Sequence, residues 1–158
     1  MLEGALQALH DWEAAATMRR SLYIYPFVNA THILSIGLLV GGILPADLRI
    51  LGFFQSVALA PFLRLMTAFA GIGLALAIAS GFLLFSVQPH EYVGNAAFLT
   101  KISLVAFGAL LALAIRFSPA WRRALASSDV RGGLRAAALL SMMVWIAALL
   151  AGRWIAFI

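Results

Sequence analysis

The apolar positions of this chain fall into four long runs separated by short polar stretches. The first, Ser21 to Leu51, is interrupted by a histidine near its middle, His32, and by Asp47 and Arg49 near its far end. Others follow from Pro61 to Val87, from Ala96 to Phe117 and from Gly133 to Ile158. A helix rising about 1.5 Å per residue needs roughly 20 apolar residues to cross a bilayer, and each run is long enough. Spans are therefore expected over residues 22–51, 61–87, 96–117 and 133–158. The first is carried past Pro45 because proline in a membrane helix often bends it rather than ending it. Pro61 suits a first helical turn and Asn95 suits an N-cap, while Ser118-Pro119 ends the third span.

Ahead of these runs the period changes to that of a surface helix. Leu2, Leu6, Leu9, Trp12 and Ala16 fall along one side of residues 2–18, with Glu3, Gln7, His10 and Asp11 on the other. This pattern predicts a single interfacial amphipathic helix within residues 1–20. Its start is acidic, through Glu3, Asp11 and Glu13, where a signal peptide carries a basic segment, so the helix is expected to stay in the mature protein. Gln88–Asn95 reads as a connecting loop, and residues 120–131 as an interfacial loop with room for a helical turn. The expected architecture is all-α: one domain, an integral membrane four-helix bundle preceded by the interfacial helix.

Composition agrees with the pattern. Of the 158 residues 64% are hydrophobic and only 11% charged, and the mean hydropathy is +1.01. A soluble domain of this size could not cover itself with so little polar surface. The absence of cysteine removes disulfides, thiolate metal sites and iron–sulfur clusters. The net charge of +5 is explained by its distribution. Of the 11 Lys and Arg residues, seven (Arg49, Arg64, Arg116, Arg122, Arg123, Arg131 and Arg135) belong to the first-to-second and third-to-fourth connections and the adjoining helix ends. The other four, Arg19, Arg20, Lys101 and Arg153, belong to the opposite side. Positive-inside bias then makes the first group cytoplasmic and puts both termini on the periplasmic side. Nucleic acid is not an expected partner.

A polar side chain inside hydrocarbon is costly, and this directs attention to the face carrying Asn29, His32 and Ser35, with Leu39 and Gly42 continuing it. That face is expected to point into the bundle, toward the small-residue seam of the second span and the Trp145 region of the fourth. The seam follows from Gly73, Ala77 and Gly81, and also from Gly71, Ala75 and Ala79, each set recurring every four residues. His32 has two readings: a packing residue bonded to a neighbouring helix, or a ligand, proton or substrate group. His10, His32 and His90 all fall on the expected periplasmic half, with Lys101 and Arg153. Four-helix bundles commonly house haem between imidazoles, with basic residues near the propionates. Only His32 lies within a span, so a bis-histidine site in one subunit needs His90 to fold inward. The alternatives are a quinone pocket, or copper held by His32 with Met142 or Met143. Asp47 is expected to pair with a basic residue of another helix end, such as Arg64, Arg116 or Arg135, as a structural clamp.

The segments HILSIGLLVGGILPADLRILG, NAAFLTK and WIAALLAGRW together resemble a family of small bacterial four-helix membrane proteins. The first helix alone also resembles the membrane domain of copper-resistance D proteins and the bacterial membrane protoporphyrinogen oxidase. These resemblances imply an inner-membrane location and importance for His32, Asp47, Arg49, Lys101 and Arg153, with no settled activity. The chain departs from dihaem cytochromes in lacking a histidine pair within its spans, and from copper carriers in lacking a periplasmic His/Met cluster. The expected function is a small membrane redox or electron-transfer subunit holding a haem b, or a quinone, in its periplasmic half. His32, His90, Lys101, Arg153, Asn29 and Ser35 would serve that site. A copper-handling membrane protein and a non-catalytic subunit of a larger assembly are the other readings. The expected partners are the lipid bilayer and a second membrane or periplasmic subunit, or further copies of this chain.

Overall fold

The computed structural model describes residues 2–155 and 157, without the side chain of Leu2. The expected end of the fourth span at Ile158, and Leu2 in the N-terminal apolar stripe, thus lie outside the described residues. Eight helices form among the described residues: α1 (Leu2–His10), α2 (Glu13–Arg20), α3 (Ile24–Leu51), α4 (Leu59–Val87), α5 (Pro89–Gly94), α6 (Ala96–Phe117), α7 (Pro119–Ser127) and α8 (Gly132–Trp154). Four of them, α3, α4, α6 and α8, are long and apolar enough to cross a membrane. The chain is a four-helix membrane bundle, and the large apolar side chains on its outside, such as Phe27, Leu34, Ile72 and Leu110, form a lipid-facing surface.

Helix α3 runs through Pro45 to a left-handed Gly52 at its C-cap, whose N–H bonds back to Arg49 O while the Phe53 N–H reaches Leu48 O at 3.0 Å. That cap satisfies carbonyls left over at the helix end. Asn95 caps α6 by accepting from the Phe98 N–H at 3.0 Å, and its amide reaches Ile155 O at 3.3 Å, tying the start of α6 to the end of α8.

Backbone contact between α3 and α4 sets the shape of the bundle. A Cβ added at Gly42 would lie 2.6 Å from both the Ala70 N and the Met66 O, and one added at Gly73 would collide with the backbone of Leu38 and Leu39. Small residues permit this approach, which is how helices gain packing energy in a solvent that offers no hydrophobic drive between them. Only part of the small-residue pattern serves it. Gly73 and Gly81 face α3, whereas Gly71, Ala75 and Ala79 are exposed.

The helices pack in the order α4, α3, α8, α6, and no Cα of α4 comes within 8 Å of one of α6. The gap between these two is bridged at one end by the stacked rings of Phe85 and Phe98, 5.5 Å apart. At the other end α7 packs on both helices and buries Trp121.

Three expectations about the polar stretches are corrected. The N-terminal segment is two helices, because the chain turns at Asp11 and Trp12, where the Gln7 amide donates to Asp11 Oδ2 at 2.9 Å. Folding back buries Leu6, Ala15 and Met18 in the protein, and the segment packs on α4 and α5. Arg19 holds it there by donating to His10 O at 2.7 Å and Val87 O at 3.3 Å, carbonyls at the ends of α1 and α4. The connection at Gln88–Asn95 contains α5, and the expected loop at 120–131 is mostly α7, started by the Ser118 hydroxyl accepting from the Trp121 N–H at 3.1 Å.

Candidate functional site

His32 is half-buried, with its ring lying over Gly81 and its Nδ1 2.9 Å from Ser80 Oγ. Ser80 Oγ also lies 2.6 Å from Leu76 O. A serine has one proton to give, and the carbonyl can only accept it. The network therefore assigns the His32 Nδ1–H as donor to Ser80 Oγ, and the neutral imidazole keeps its lone pair on Nε2.

The remaining members of the expected polar face separate. Ser35 is buried but spends its hydroxyl on Thr31 O at 2.6 Å, one turn back in its own helix. Asn29 is exposed and does not point into the bundle. Trp145 packs with Leu39 and Ile43, about two turns further along α3 than His32, with its indole against Gly108.

His90 does not join His32. Its Nε2 lies 3.5 Å from Glu3 Oε1, and its ring meets that of His10 edge-on, with centroids 6.3 Å apart. Lys101 lays its stem along α8, with its Cδ 3.3 Å from where a Gly152 Cβ would be. Arg153 sits 4.9 Å over the ring of Phe157. Met142 is half-buried and Met143 exposed. Among the described residues no three of His, Cys, Asp or Glu gather closely enough to hold a metal ion.

Another buried polar feature lies in the gap between α4 and α6. There α3 and α8 form the floor of a cleft of about 240 Å³, walled by α4 and α6. Leu39, Leu74, Leu113 and Trp145 make it apolar, and Asp47, Thr67, Ser141 and Arg116 give it a polar end. Asp47 stands about 6 Å along the axis from the end of α3, which puts the polar end near the membrane surface and the apolar end deeper. Asp47 is 3% exposed, and its Oδ2 has no hydrogen-bond partner among the described residues. Trp145 is 3% exposed, and its Nε1–H is likewise unpartnered.

The clamp expected at Asp47 is absent: among the described residues no Lys or Arg nitrogen lies within 4.0 Å of its carboxylate. Arg116 lines the same cleft without pairing, and the Ser141 hydroxyl faces the carboxyl. In the sequence Asp47 is one charge among the arginines of the helix ends, and Trp145 marks only the middle of the fourth span. The available signal is the position of Asp47 four residues after Ile43 and eight after Leu39, which carries the same face of α3 toward its end.

Buried polar groups are nearly always hydrogen-bonded, and each exception needs a reason. Here an acceptor that can also carry a proton and an obligate donor line one apolar cleft. Such a pair can bind an uncharged ring that offers both a carbonyl or hydroxyl and an apolar body. No family model, curated protein or solved structure matches the chain, so the cleft and the histidine carry the functional reading.

Proposed function

We propose that this protein is a membrane redox subunit that takes a quinone-class molecule from the bilayer into the cleft between α4 and α6. The observation that carries the reading is the pair of buried, unpartnered polar atoms, Asp47 Oδ2 and Trp145 Nε1, in a cleft otherwise lined by apolar side chains. A quinone carbonyl accepts from the indole N–H, and a quinol hydroxyl donates to the carboxylate. Reduction of a quinone to its quinol takes up two electrons and two protons. Asp47 exchanges protons with the bound head, and a partner redox protein supplies or removes the electrons.

The test uses the purified full chain in detergent and a short-chain benzoquinone, with quenching of tryptophan fluorescence as readout. Asp47→Asn keeps the shape and should weaken binding by about tenfold, the weight of one charge-assisted hydrogen bond. Equal binding by the wild type and Asp47→Leu would remove the cleft from consideration.

A second reading keeps His32 as an axial ligand of haem b, favoured by the Ser80 contact. Metal-ligating histidines commonly give their other N–H to a fixed acceptor, and Ser80 supplies one at 2.9 Å. His32 would then hold the haem together with a residue of another chain. An oxidised-minus-reduced spectrum of protein expressed with haem supplied decides this: a Soret band lost in His32→Leu supports it, and a flat Soret region rejects it.

In the bacterial inner membrane that the family resemblance implies, the distribution of Lys and Arg favours the Arg49 and Arg135 end in the cytoplasm and both termini in the periplasm. A C-terminal reporter active only in the cytoplasm would reverse that orientation.

A further inference from the structure

At the end of the bundle remote from His32, the connection after α3 and the one after α7 wall a second cavity, of about 360 Å³, lined by Arg49, Gln55, Ser128 and Arg135 among others. Both connections begin at a helix C-cap in the left-handed region, Gly52 with φ 109° and Ser128 with φ 57°. These turns bring the two loops to one place. The carbonyls at these helix ends are engaged, Leu48 O by the Phe53 N–H and Ala124 O by the Ser128 N–H, which blunts the negative ends of α3 and α7.

Among the described residues no carboxylate lines this cavity. The nearby Asp129 is held by Arg131, with Nε to Oδ2 at 3.1 Å. Arg49 is fixed in place by donating from Nε and Nη2 to Val57 O, at 3.1 and 2.9 Å. Those bonds leave most of its five N–H donors unspent. The side chain of Arg135 makes no hydrogen bond or ion pair among the described residues. It belongs to the first turn of α8, whose N-terminus has no side-chain cap, so the positive end of that helix adds to the two guanidinium charges.

We infer that this cavity is a binding site for a phosphate-bearing anion, gripped between Arg49 and Arg135. Two guanidinium groups, one already immobilised, match the geometry of phosphate oxygens better than ammonium groups would. The site shares Ile50 with the wall of the quinone cleft, but neither Arg49 nor Arg135 lines that cleft. Its chemistry suits an anionic lipid headgroup and a free phosphate group equally.

The test measures thermal stability of the full chain in detergent with added phosphatidylglycerol and, separately, with inorganic phosphate. Arg135→Gln is the informative variant because the Arg135 side chain has no polar partner among the described residues, and it should bind about tenfold more weakly. Stabilisation of the wild type by the lipid and not by phosphate, diminished in Arg135→Gln, assigns a headgroup site. Stabilisation by phosphate, diminished in the same variant, assigns a soluble anion. No stabilisation by either, or equal stabilisation of wild type and variant, overturns the inference.

Discussion

His32 on α3 and Ser80 on α4 are joined by a 2.9 Å hydrogen bond, and the 2.6 Å bond from Ser80 to Leu76 O decides that the imidazole donates. Polar bonds between membrane helices contribute about 0.6 to 2 kcal/mol, because the unfolded chain in the membrane also finds partners. Ser80→Ala should therefore lower the stability of the bundle in detergent by about 1 kcal/mol. Thermal unfolding followed by circular dichroism checks this. A variant with unchanged stability would show that the contact orients the ring without holding the helices.

Two glycines on the same helix should respond in opposite ways. Gly73 abuts the backbone of Leu38 and Leu39, which cannot move aside as a flexible side chain could, whereas Gly71 has open space around it. Gly73→Ala should cost about 1 to 3 kcal/mol through overpacking, and Gly71→Ala should be neutral or stabilise by up to about 1 kcal/mol through helix propensity. Denaturation midpoints of the two variants, measured side by side, test the assignment of the α3–α4 seam. A Gly73→Ala variant as stable as Gly71→Ala would mean that the seam lies on the other face of α4.

The contrast between these glycines marks where the sequence is informative. Hydrophobic length alone defines four spans, since a run such as Leu59–Val87 has no other economical environment. Periodicity locates small-residue seams but gives two on α4, and nothing local says which one meets α3. The order of helices in the bundle is likewise a long-range property. With α4 and α6 held apart, a cleft opens over Asp47 and Trp145 that no segment of the chain reveals by itself. His32 was visible because a lone imidazole in an apolar run is conspicuous. Asp47 was less so, because it lies near Arg49 and the helix end, where a solvated charge is ordinary.

Arg19 should fasten the N-terminal helices to the bundle. Its guanidinium reaches His10 O and Val87 O, carbonyls at helix ends where a cation is favourable. Arg19→Leu removes both bonds and should cost about 1 to 3 kcal/mol, concentrated in α1 and α2. Hydrogen exchange of the amides of α1 should rise several-fold while α3 and α8 stay protected. Uniform protection in the variant would assign the docking to Leu6, Ala15 and Met18 instead.

Tyr92, in α5 outside the spans, packs its ring against Phe98 and Phe85, with centroids 5.1 and 6.1 Å away. Burial, and after it the neighbouring Tyr25 and Glu91, pushes its phenol above the ordinary value of 10.0. The folded state thus holds this proton more tightly than the unfolded chain does. The resulting stability is fully present below about pH 10 and is lost as pH rises through the higher folded value. Tyr92→Phe should flatten this alkaline decline in unfolding midpoint. A decline of the same steepness in the variant would show that Tyr92 is not its source.

Filling the cleft between α4 and α6 separates ligand binding from the chemistry of Asp47. Ala112 lines the wall contributed by α6 and is half-buried, so a larger apolar side chain there projects into the cleft without touching the backbone seam of α3 and α4. Ala112→Leu should leave the stability of the empty protein within about 0.5 kcal/mol, since it adds apolar contacts and displaces no packed group. Quinone quenching of tryptophan fluorescence should fall at least as far as in Asp47→Asn, although the carboxyl is intact. Loss of binding in both variants, with folding preserved, means that the ligand occupies the cleft and is oriented by Asp47. Full binding in Ala112→Leu would put the quinone on the outer surface of the bundle and leave the unpartnered Asp47 and Trp145 atoms to a different ligand.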